Sequence, residues 1–122
     1  MKRVMLWLIL PLLLAACSQP GDPAATVENY LQAKVSGDAD TVRALLCSAK
    51  EADLDAELRT FSIAEGVEIK EMACEQVGES DVVQCNGRIV ALYGTEENVF
   101  PLVSYRVVQE DGEWKYCGEA GN

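Results

Sequence analysis

The chain has 122 residues, of which 10 are Lys or Arg, 20 are Asp or Glu and none is His, so its formal net charge is −10. This length is that of a single domain. The absence of His excludes mechanisms that need an imidazole, and the negative charge argues against nucleic acid as a partner, because phosphate binding needs clustered Lys and Arg.

The amino terminus predicts an export signal. Lys2 and Arg3 precede an uncharged apolar run over residues 4–16. As a helix rising about 1.5 Å per residue, this run is shorter than the roughly 30 Å hydrocarbon core of a bilayer. It is therefore typical of a signal peptide rather than of a helix that spans the membrane.

The run ends in the tetrapeptide LAAC at residues 14–17. This motif resembles the lipobox of bacterial lipoproteins, in which Leu and two small residues precede an obligatory Cys. The resemblance implies cleavage after residues 1–16, transfer of a diacylglyceryl group to the Cys17 thiol and acylation of the new amine, for example by palmitate. Residues 17–22 then form a short lipidated tether of turn-forming residues.

The predicted location follows from this lipid modification. Two or three acyl chains hold a protein firmly to a membrane, so we expect an exported protein anchored by lipid to the bacterial membrane and facing its extracytoplasmic side. An ordinary signal peptide that ends near a Cys is the alternative.

Three helices are predicted after the tether. The first is capped by Asp22 and ends at Gly37, and the second is capped by Asp38 or Asp40. A capping-box pattern at residues 48–51 begins the third helix, which is expected to end near Gly66. Apolar residues recur at helical spacing in each segment.

From Val67 the apolar period changes to two, which predicts strands. The apolar parity shifts after Ile69, which indicates a bulge near Glu71. Four strands of an antiparallel meander are expected, the first from residue 67 and the others over residues 81–93, 99–109 and 113–118.

Apart from the lipobox Cys, the chain has four Cys, a number typical of two disulfides in a small exported domain. Cys74 and Cys85 flank a turn, and a hairpin with a two- or four-residue loop sets them opposite each other at a separation that a disulfide tolerates. Cys47 and Cys117 remain as the second pair, closing a long loop worth about 4 kcal/mol. With no C-x-x-C motif and no His, no metal site is expected.

The register of the last hairpin has two alternatives. A two-residue loop of Asp111 and Gly112 pairs Arg106 with Cys117, whereas a three-residue loop pairs Tyr105 with Cys117. The second register places Cys117 on the apolar face of the strand, which is the face expected to meet the helices. We therefore predict the three-residue loop.

Three helices followed by a four-stranded antiparallel sheet indicate an α+β fold. Residues 27–46, with a Gly-Asp pair between two helices, resemble the start of NTF2-like domains, and residues 107–117 resemble their last hairpin. The chain is most similar to small lipoprotein members of that superfamily, including a lumazine-binding-like group of unknown function. The resemblance implies that residues 23–122 form a cone in which three N-terminal helices pack on a curved four-stranded sheet, with a pocket at the open end.

The resemblance implies no specific activity. NTF2-like enzymes, such as relatives of ketosteroid isomerase and polyketide cyclases, place an Asp base or an Asp–His pair in the cone, and no position here matches such a motif. An Asp base with a Tyr oxyanion donor is the remaining catalytic arrangement. Tyr30, Tyr93 and Tyr105 are the candidate pocket residues, and the alternative is that they are ordinary core or rim aromatics.

Charged residues in the predicted elements have two interpretations, a solvated face or a binding site. The acidic residues at 51–57 alternate at a spacing of two, which spreads them around a helix and predicts a solvated face. Arg88 and Arg106 lie in apolar strands, either on the outer face or inside the cone. In the predicted register, Arg106 faces solvent.

We therefore expect a non-catalytic envelope domain that needs no cofactor and binds a small apolar ligand or a protein partner. A purely structural or accessory envelope domain is the alternative, and a small isomerase or cyclase-like enzyme is a further one. The first two differ in whether the cone is open or plugged by its tyrosines. The enzyme requires a buried carboxylate with a raised pKa that faces a hydroxyl.

Overall fold

The computed structural model of the protein describes residues 21–121. The predicted signal peptide, Cys17 and most of the tether lie outside these residues. The helical elements are α1 (Pro23–Ser36), α2 (Ala39–Leu45), a 3₁₀ helix (Ser48–Asp53) and α3 (Leu54–Arg59). The strands are β1 (Gly66–Gln76), β2 (Val82–Tyr93), β3 (Glu96–Pro101), β4 (Ser104–Glu110) and β5 (Glu113–Glu119).

The α+β class is confirmed, with three α-helices and an antiparallel sheet. The strand order is β1-β2-β4-β5, and β3 pairs with β2 as well. Helix α1 packs against β1, β2, β4 and β5 and forms the centre of the core. Within the described residues, no helix is long and apolar enough to cross a membrane.

The first helix begins and ends where the sequence predicts, and the second begins at one of its two predicted caps. The Asp22 carboxylate accepts a hydrogen bond from the Ala24 amide at 2.9 Å, and Gly37 ends α1 in the left-handed conformation with φ +72°. Asp38, one of the two predicted caps of α2, accepts a hydrogen bond from the Thr41 amide. These caps satisfy backbone groups that the first turn leaves without partners.

The predicted third helix is shorter than expected. Its first part is a 3₁₀ helix, and the α-helix ends at Arg59 rather than near Gly66. The capping box does not form, because the Ser48 amide and hydroxyl donate to the Glu110 carboxylate of β4 at 3.0 and 2.9 Å. A tertiary contact has replaced the local hydrogen bond that the sequence pattern predicted.

The predicted third strand is divided into β3 and β4. Strand β3 pairs with residues 88–93 of β2, and β4 pairs with residues 82–84 of the same strand. Between them the Leu102 amide donates to the Gly87 carbonyl and the Cys85 amide to the Val103 carbonyl, each at 3.0 Å. The four-strand prediction therefore has the right path but the wrong number of strands. Pro101 lies at the break and has no amide to donate.

The predicted bulge in β1 is confirmed. The register of β1 against β2 shifts between Lys70 and Ala73, and Glu71 has φ +56°. Gly87 faces the bulge with φ +105°, and a Cβ atom there would lie 2.6 Å from the Glu71 carbonyl oxygen. The bulge therefore requires glycine at this position and bends the strand.

Both predicted disulfides are present. The β1–β2 register places Cys74 opposite Cys85, and a disulfide joins them. The second disulfide joins Cys47, in the segment after α2, to Cys117 of β5 across 70 positions of sequence.

The predicted register of the last hairpin is wrong. Asp111 and Gly112 both have positive φ and form a two-residue loop, which is a type I′ geometry. Cys117 therefore does not lie opposite Tyr105, which pairs with Glu119 across a register shift. The prediction assumed that Cys117 must reach a helix through the face of the sheet.

Cys47 instead reaches Cys117 along the edge of the sheet. Leu46 forms a parallel bridge with Tyr116, and the Cys47 amide donates to the Tyr116 carbonyl at 2.8 Å. The segment after α2 therefore runs beside β5 like a short extra strand. This placement brings the two cysteines together in the two-residue register.

Candidate functional site

Tyr30, Tyr105 and Tyr116 come together between the helices and the sheet, and we call them the tyrosine cluster. Tyr30 of α1 is fully buried and stacks on Tyr116 of β5, with ring centroids 3.7 Å apart and an angle of 9° between the planes. Tyr105 of β4 lies 5.7 Å from Tyr116 between centroids. The structure therefore brings together two of the three predicted pocket residues, but they fill the interior with aromatic rings.

Tyr93 lies elsewhere. It is half-buried at the end of β2, opposite Glu96 in the β2–β3 hairpin, and is not part of the core cluster. Strand β4, which carries Tyr105, pairs only with residues 82–84 at the other end of β2. At about 3.3 Å per residue, the length of β2 keeps Tyr93 away from the other predicted pocket residues.

A polar network connects Tyr30 to α3. The Tyr30 hydroxyl donates to Oε2 of Glu57 at 2.6 Å, and Nζ of Lys34 lies 2.8 Å from the same oxygen. The Lys34 and Glu57 side chains are 16% and 25% exposed, so both are largely withdrawn from water. One carboxylate oxygen therefore joins α3 to two side chains of α1.

The surroundings fix the protonation states in this network. Burial alone would raise the pKa of the Glu57 carboxyl, but hydrogen bonds from Lys34 and Tyr30 outweigh it, and the pKa lies below its ordinary value. Burial and the bond to Glu57 raise the pKa of the Tyr30 phenol far above 10. Burial also raises the pKa of Tyr116. At neutral pH the carboxylate is ionised and these phenols are neutral.

A cavity of about 220 Å³ borders the network, between the end of α1, the segment from the 3₁₀ helix to α3, and β5. The charge of Lys50 contributes to lowering the pKa of Glu57, and the Lys50 side chain extends over Gly118. Among residues 21–121, Lys50 makes no ion pair within 4.0 Å. The cavity is lined by charged and polar groups, by Leu46 and by the Tyr116 ring, through residues Lys34, Leu46, Lys50, Asp53, Glu57, Tyr116, Gly118 and Glu119.

A second cavity, of about 270 Å³, lies between α2, the 3₁₀ helix and the β4–β5 hairpin. Two of its charged side chains already make hydrogen bonds that connect the β4–β5 hairpin to the helical segments. Glu110 accepts the hydrogen bonds from Ser48, and Nζ of Lys115 donates to the Ala44 carbonyl at 2.6 Å. The part of the chain that the structure describes contains no group of His, Cys, Asp and Glu suited to a metal ion.

Arg88 and Arg106 take no part in the tyrosine cluster. Arg88 pairs with Glu71 at 2.8 Å and Arg106 with Asp81 at 2.9 Å, and all four side chains are partly exposed. The prediction that Arg106 faces solvent is confirmed, although the register from which it was argued is wrong.

Sequence reasoning missed Glu57 and Lys34. The sequence predicts a solvated face for Glu57, because this residue closes an alternating acidic run. The signal that was available is its spacing: it follows Leu54 by three residues and precedes Phe61 by four, so it lies on the apolar face of its helix. Nothing in the sequence indicated Lys34 as its partner, since that contact depends on how α1 and α3 pack.

Comparison with known proteins identifies the fold. Neither a protein-family model nor a curated protein matches the sequence. A designed NTF2-type protein, Rd1NTF2_05 with five substitutions, is 12% identical, with a TM-score of 0.57 over 80% of this chain and 94% of its own.

Two bacterial structures are similar to the same extent. A proposed polyketide cyclase from Xanthomonas campestris pv. campestris is 15% identical, with a TM-score of 0.56 over 78% of this chain and 88% of its own. A proposed dehydratase of the NTF2-like family from Streptomyces avermitilis is 12% identical, with a TM-score of 0.53 over 80% of this chain and 93% of its own. At such identities the likeness concerns the fold alone, which is NTF2-like.

Proposed function

We propose that this protein is an exported, lipid-anchored domain that binds a small ligand beside the tyrosine cluster and catalyses no reaction. The observation that carries the proposal is the network in which the Glu57 carboxylate accepts hydrogen bonds from Tyr30 and Lys34 at the edge of a cavity of about 220 Å³. This network offers directed polar groups, an aromatic surface and space for a ligand.

The protonation states argue against an isomerase or cyclase. Such chemistry needs a carboxylate whose pKa is raised toward neutrality and which faces a hydroxyl. Glu57 does face the Tyr30 hydroxyl, but its pKa is lowered, so it is a weak base. The raised pKa of the Tyr30 phenol makes it a poor acid at neutral pH. Two of the structures with the same fold are described as a proposed cyclase and a proposed dehydratase, and this cluster lacks the acid–base groups for either reaction.

The chemistry of the cavity favours a polar ligand over the apolar one that the sequence predicted. Tyr30 and Tyr105 are packed against other rings, so the apolar interior is occupied by the protein itself. The remaining space has lysine and carboxylate groups in its lining. Its volume lies below the roughly 300–1,000 Å³ of pockets for drug-sized molecules, which favours a small ligand.

The location is inferred from two features. The disulfides indicate an oxidising compartment outside the cytoplasm, and the LAAC motif at residues 14–17 favours lipid attachment at Cys17. Globomycin, which blocks the lipoprotein signal peptidase, is expected to cause accumulation of a lipidated precursor that keeps its signal peptide. Unchanged processing would argue for an ordinary signal peptide.

The ligand proposal is tested by native mass spectrometry of the full protein extracted in detergent from its own envelope. We expect a population heavier than the lipidated chain by the mass of one small polar molecule, released by gentle activation. A single mass that equals the chain plus its acyl groups, in several growth conditions, would contradict the ligand proposal.

A protein partner is the second candidate, and a separate surface favours it. Exposed apolar side chains lie on the outer face of the β2–β3 hairpin, where Val99 pairs with Val90 and shares its face with Leu92. Leu92 is 38% exposed and Val99 is 50% exposed. A photo-cross-linker at Val99 is expected to capture one envelope protein in intact cells if this surface binds a partner, whereas one at the exposed Gln109 serves as the control.

A further inference from the structure

Glu57 occupies a position that is built for a carboxylate. Its Oε2 atom accepts the Tyr30 hydroxyl at 2.6 Å and lies 2.8 Å from Nζ of Lys34. Lys50 acts on the same carboxylate through its charge, and the Tyr116 ring lines the adjoining cavity. A phenol and an ammonium directed at one oxygen are strong donors for an anion.

The donors Tyr30 and Lys34 lie on a longer and more deeply buried helix than the acceptor Glu57. Tyr30 and Lys34 belong to α1, a helix of 14 residues whose inner face lies in the core. Glu57 belongs to α3, which has six residues and no fully buried side chain. Elements with few buried apolar contacts open at the lowest free energy, so the Glu57 carboxylate is the part of this network that can leave.

We propose, on the basis of the proposed function, that the ligand is a small organic carboxylate that takes the place of Glu57 at Tyr30 and Lys34. Its remaining atoms lie in the cavity of about 220 Å³ between α1, α3 and β5. Glu57 then acts as an internal competitor that keeps the donors occupied when no ligand is bound.

The exchange is chemically balanced. One carboxylate replaces another, so Lys34 stays paired and the Tyr30 hydroxyl keeps an acceptor, and no buried polar group is left without a partner. The cavity of about 220 Å³ is large enough for several water molecules. That space suits a molecule of the size of benzoate.

The test uses benzoate as the probe and benzyl alcohol as its uncharged counterpart. NMR titrations are made with the wild type, with Glu57→Ala and with Asp55→Ala as a matched control on the same helix. Removing the competitor is expected to tighten benzoate binding by at least about tenfold, because the free site is then always populated. Asp55→Ala is expected to match the wild type, and benzyl alcohol to bind none of the three.

Two results would overturn the proposal. One is a folded Glu57→Ala protein that binds benzoate no more tightly than the wild type, and the other is equal binding of benzoate and benzyl alcohol. Adding Lys34→Met to the Glu57→Ala protein is expected to abolish the gain. If Glu57→Ala does not fold, the wild type decides, because benzoate must then shift the signals of Lys34 and Glu57 together, and shifts confined to other residues would refute the site.

The outcomes also separate this inference from the proposed function. A native ligand without a carboxylate would leave the binding domain standing and reject the carboxylate. A protein that carries no native ligand but whose Glu57→Ala variant binds benzoate would show that the anion site exists while the proposed function fails.

Discussion

Among single residues, Glu57 is the one whose charge the proposed ligand site depends on most. The hydrogen bonds from Lys34 and Tyr30 hold its pKa below the ordinary value of 4.5 although burial opposes this. A carboxyl with a lowered pKa in the folded state contributes stability that is present above its unfolded pKa and is lost as the pH falls through its folded pKa.

We therefore predict that Glu57→Gln lowers the free energy of unfolding by about 1–2 kcal/mol at pH 7, a range reduced for partial exposure. Between pH 5 and about pH 3 the difference from the wild type should shrink, because the wild-type carboxyl then takes up a proton. Urea denaturation of both proteins across this pH range measures it, with Asp55→Asn as a control that should change nothing. A difference that stays constant down to pH 3 would mean that the charge of Glu57 is unimportant.

The buried phenols should make the free energy of unfolding fall as the pH rises into the alkaline range. The pKa values of Tyr30, Tyr105 and Tyr116 are raised above the ordinary value of 10.0, with burial as the main cause. Stability is therefore fully present below about pH 10 and is lost as the pH rises further, because only the unfolded phenols ionise. Tyrosinate absorbance of these residues should appear together with the loss of near-ultraviolet circular dichroism. Ionisation of all tyrosines in a folded protein would contradict their burial.

At the scale of elements, the sequence predicted those features that depend on neighbouring residues. The caps Asp22 and Asp38, the stop at Gly37 and the bulge near Glu71 all follow from local chemistry and are present. The capping box predicted at the start of the third helix does not form, since Ser48 bonds to a residue 62 positions away. A pattern of neighbouring residues cannot show that a distant side chain, here Glu110, competes for the same hydrogen bond.

The close approach at the bulge can be tested by replacing Gly87, with Gly94 as the control position. Gly87→Ala would place a Cβ atom 2.6 Å from the Glu71 carbonyl oxygen at φ +105°, whereas Gly94, at φ +65°, has no atom within 4 Å of such a Cβ. We expect Gly87→Ala to lower the free energy of unfolding by about 3 kcal/mol or more and Gly94→Ala by about 1 kcal/mol. Chemical denaturation compares them, and equal effects would argue against the close approach at the bulge.

At the scale of the whole molecule, the helices, the sheet and the cysteine pairing could be predicted, whereas the interior could not. The NTF2-like resemblance implied a cone with a pocket, and the sequence left open whether Tyr30, Tyr93 and Tyr105 line that pocket or plug it. Whether aromatic rings line a space or fill it depends on packing across α1, β4 and β5, which no sequence spacing reveals. The register of the last hairpin failed for a similar reason, because the path of residues 46–47 along β5 lies outside the hairpin itself.

The two disulfides should contribute unequally to the free energy of unfolding. The Cys47–Cys117 bond spans 70 positions and the Cys74–Cys85 bond spans 11. By the chain-entropy estimate, replacing the first pair by Ala lowers the free energy of unfolding by about 4 kcal/mol and replacing the second by about 3 kcal/mol. Thermal unfolding of the two double variants should rank them in this order. The reverse order would indicate that residual structure in the unfolded chain, rather than loop length, sets the effect.

We propose that the cavity beside the tyrosine cluster holds a small polar ligand. Native mass spectrometry of the full protein from its own envelope tests it most directly when the wild type is compared with Lys34→Met and with Lys70→Met, a lysine of β1 that pairs with Glu68 on the exposed surface. We expect one additional small mass on the wild type and on Lys70→Met, and its loss from Lys34→Met. A bare mass for all three proteins, or a bound mass that Lys34→Met retains, would contradict it.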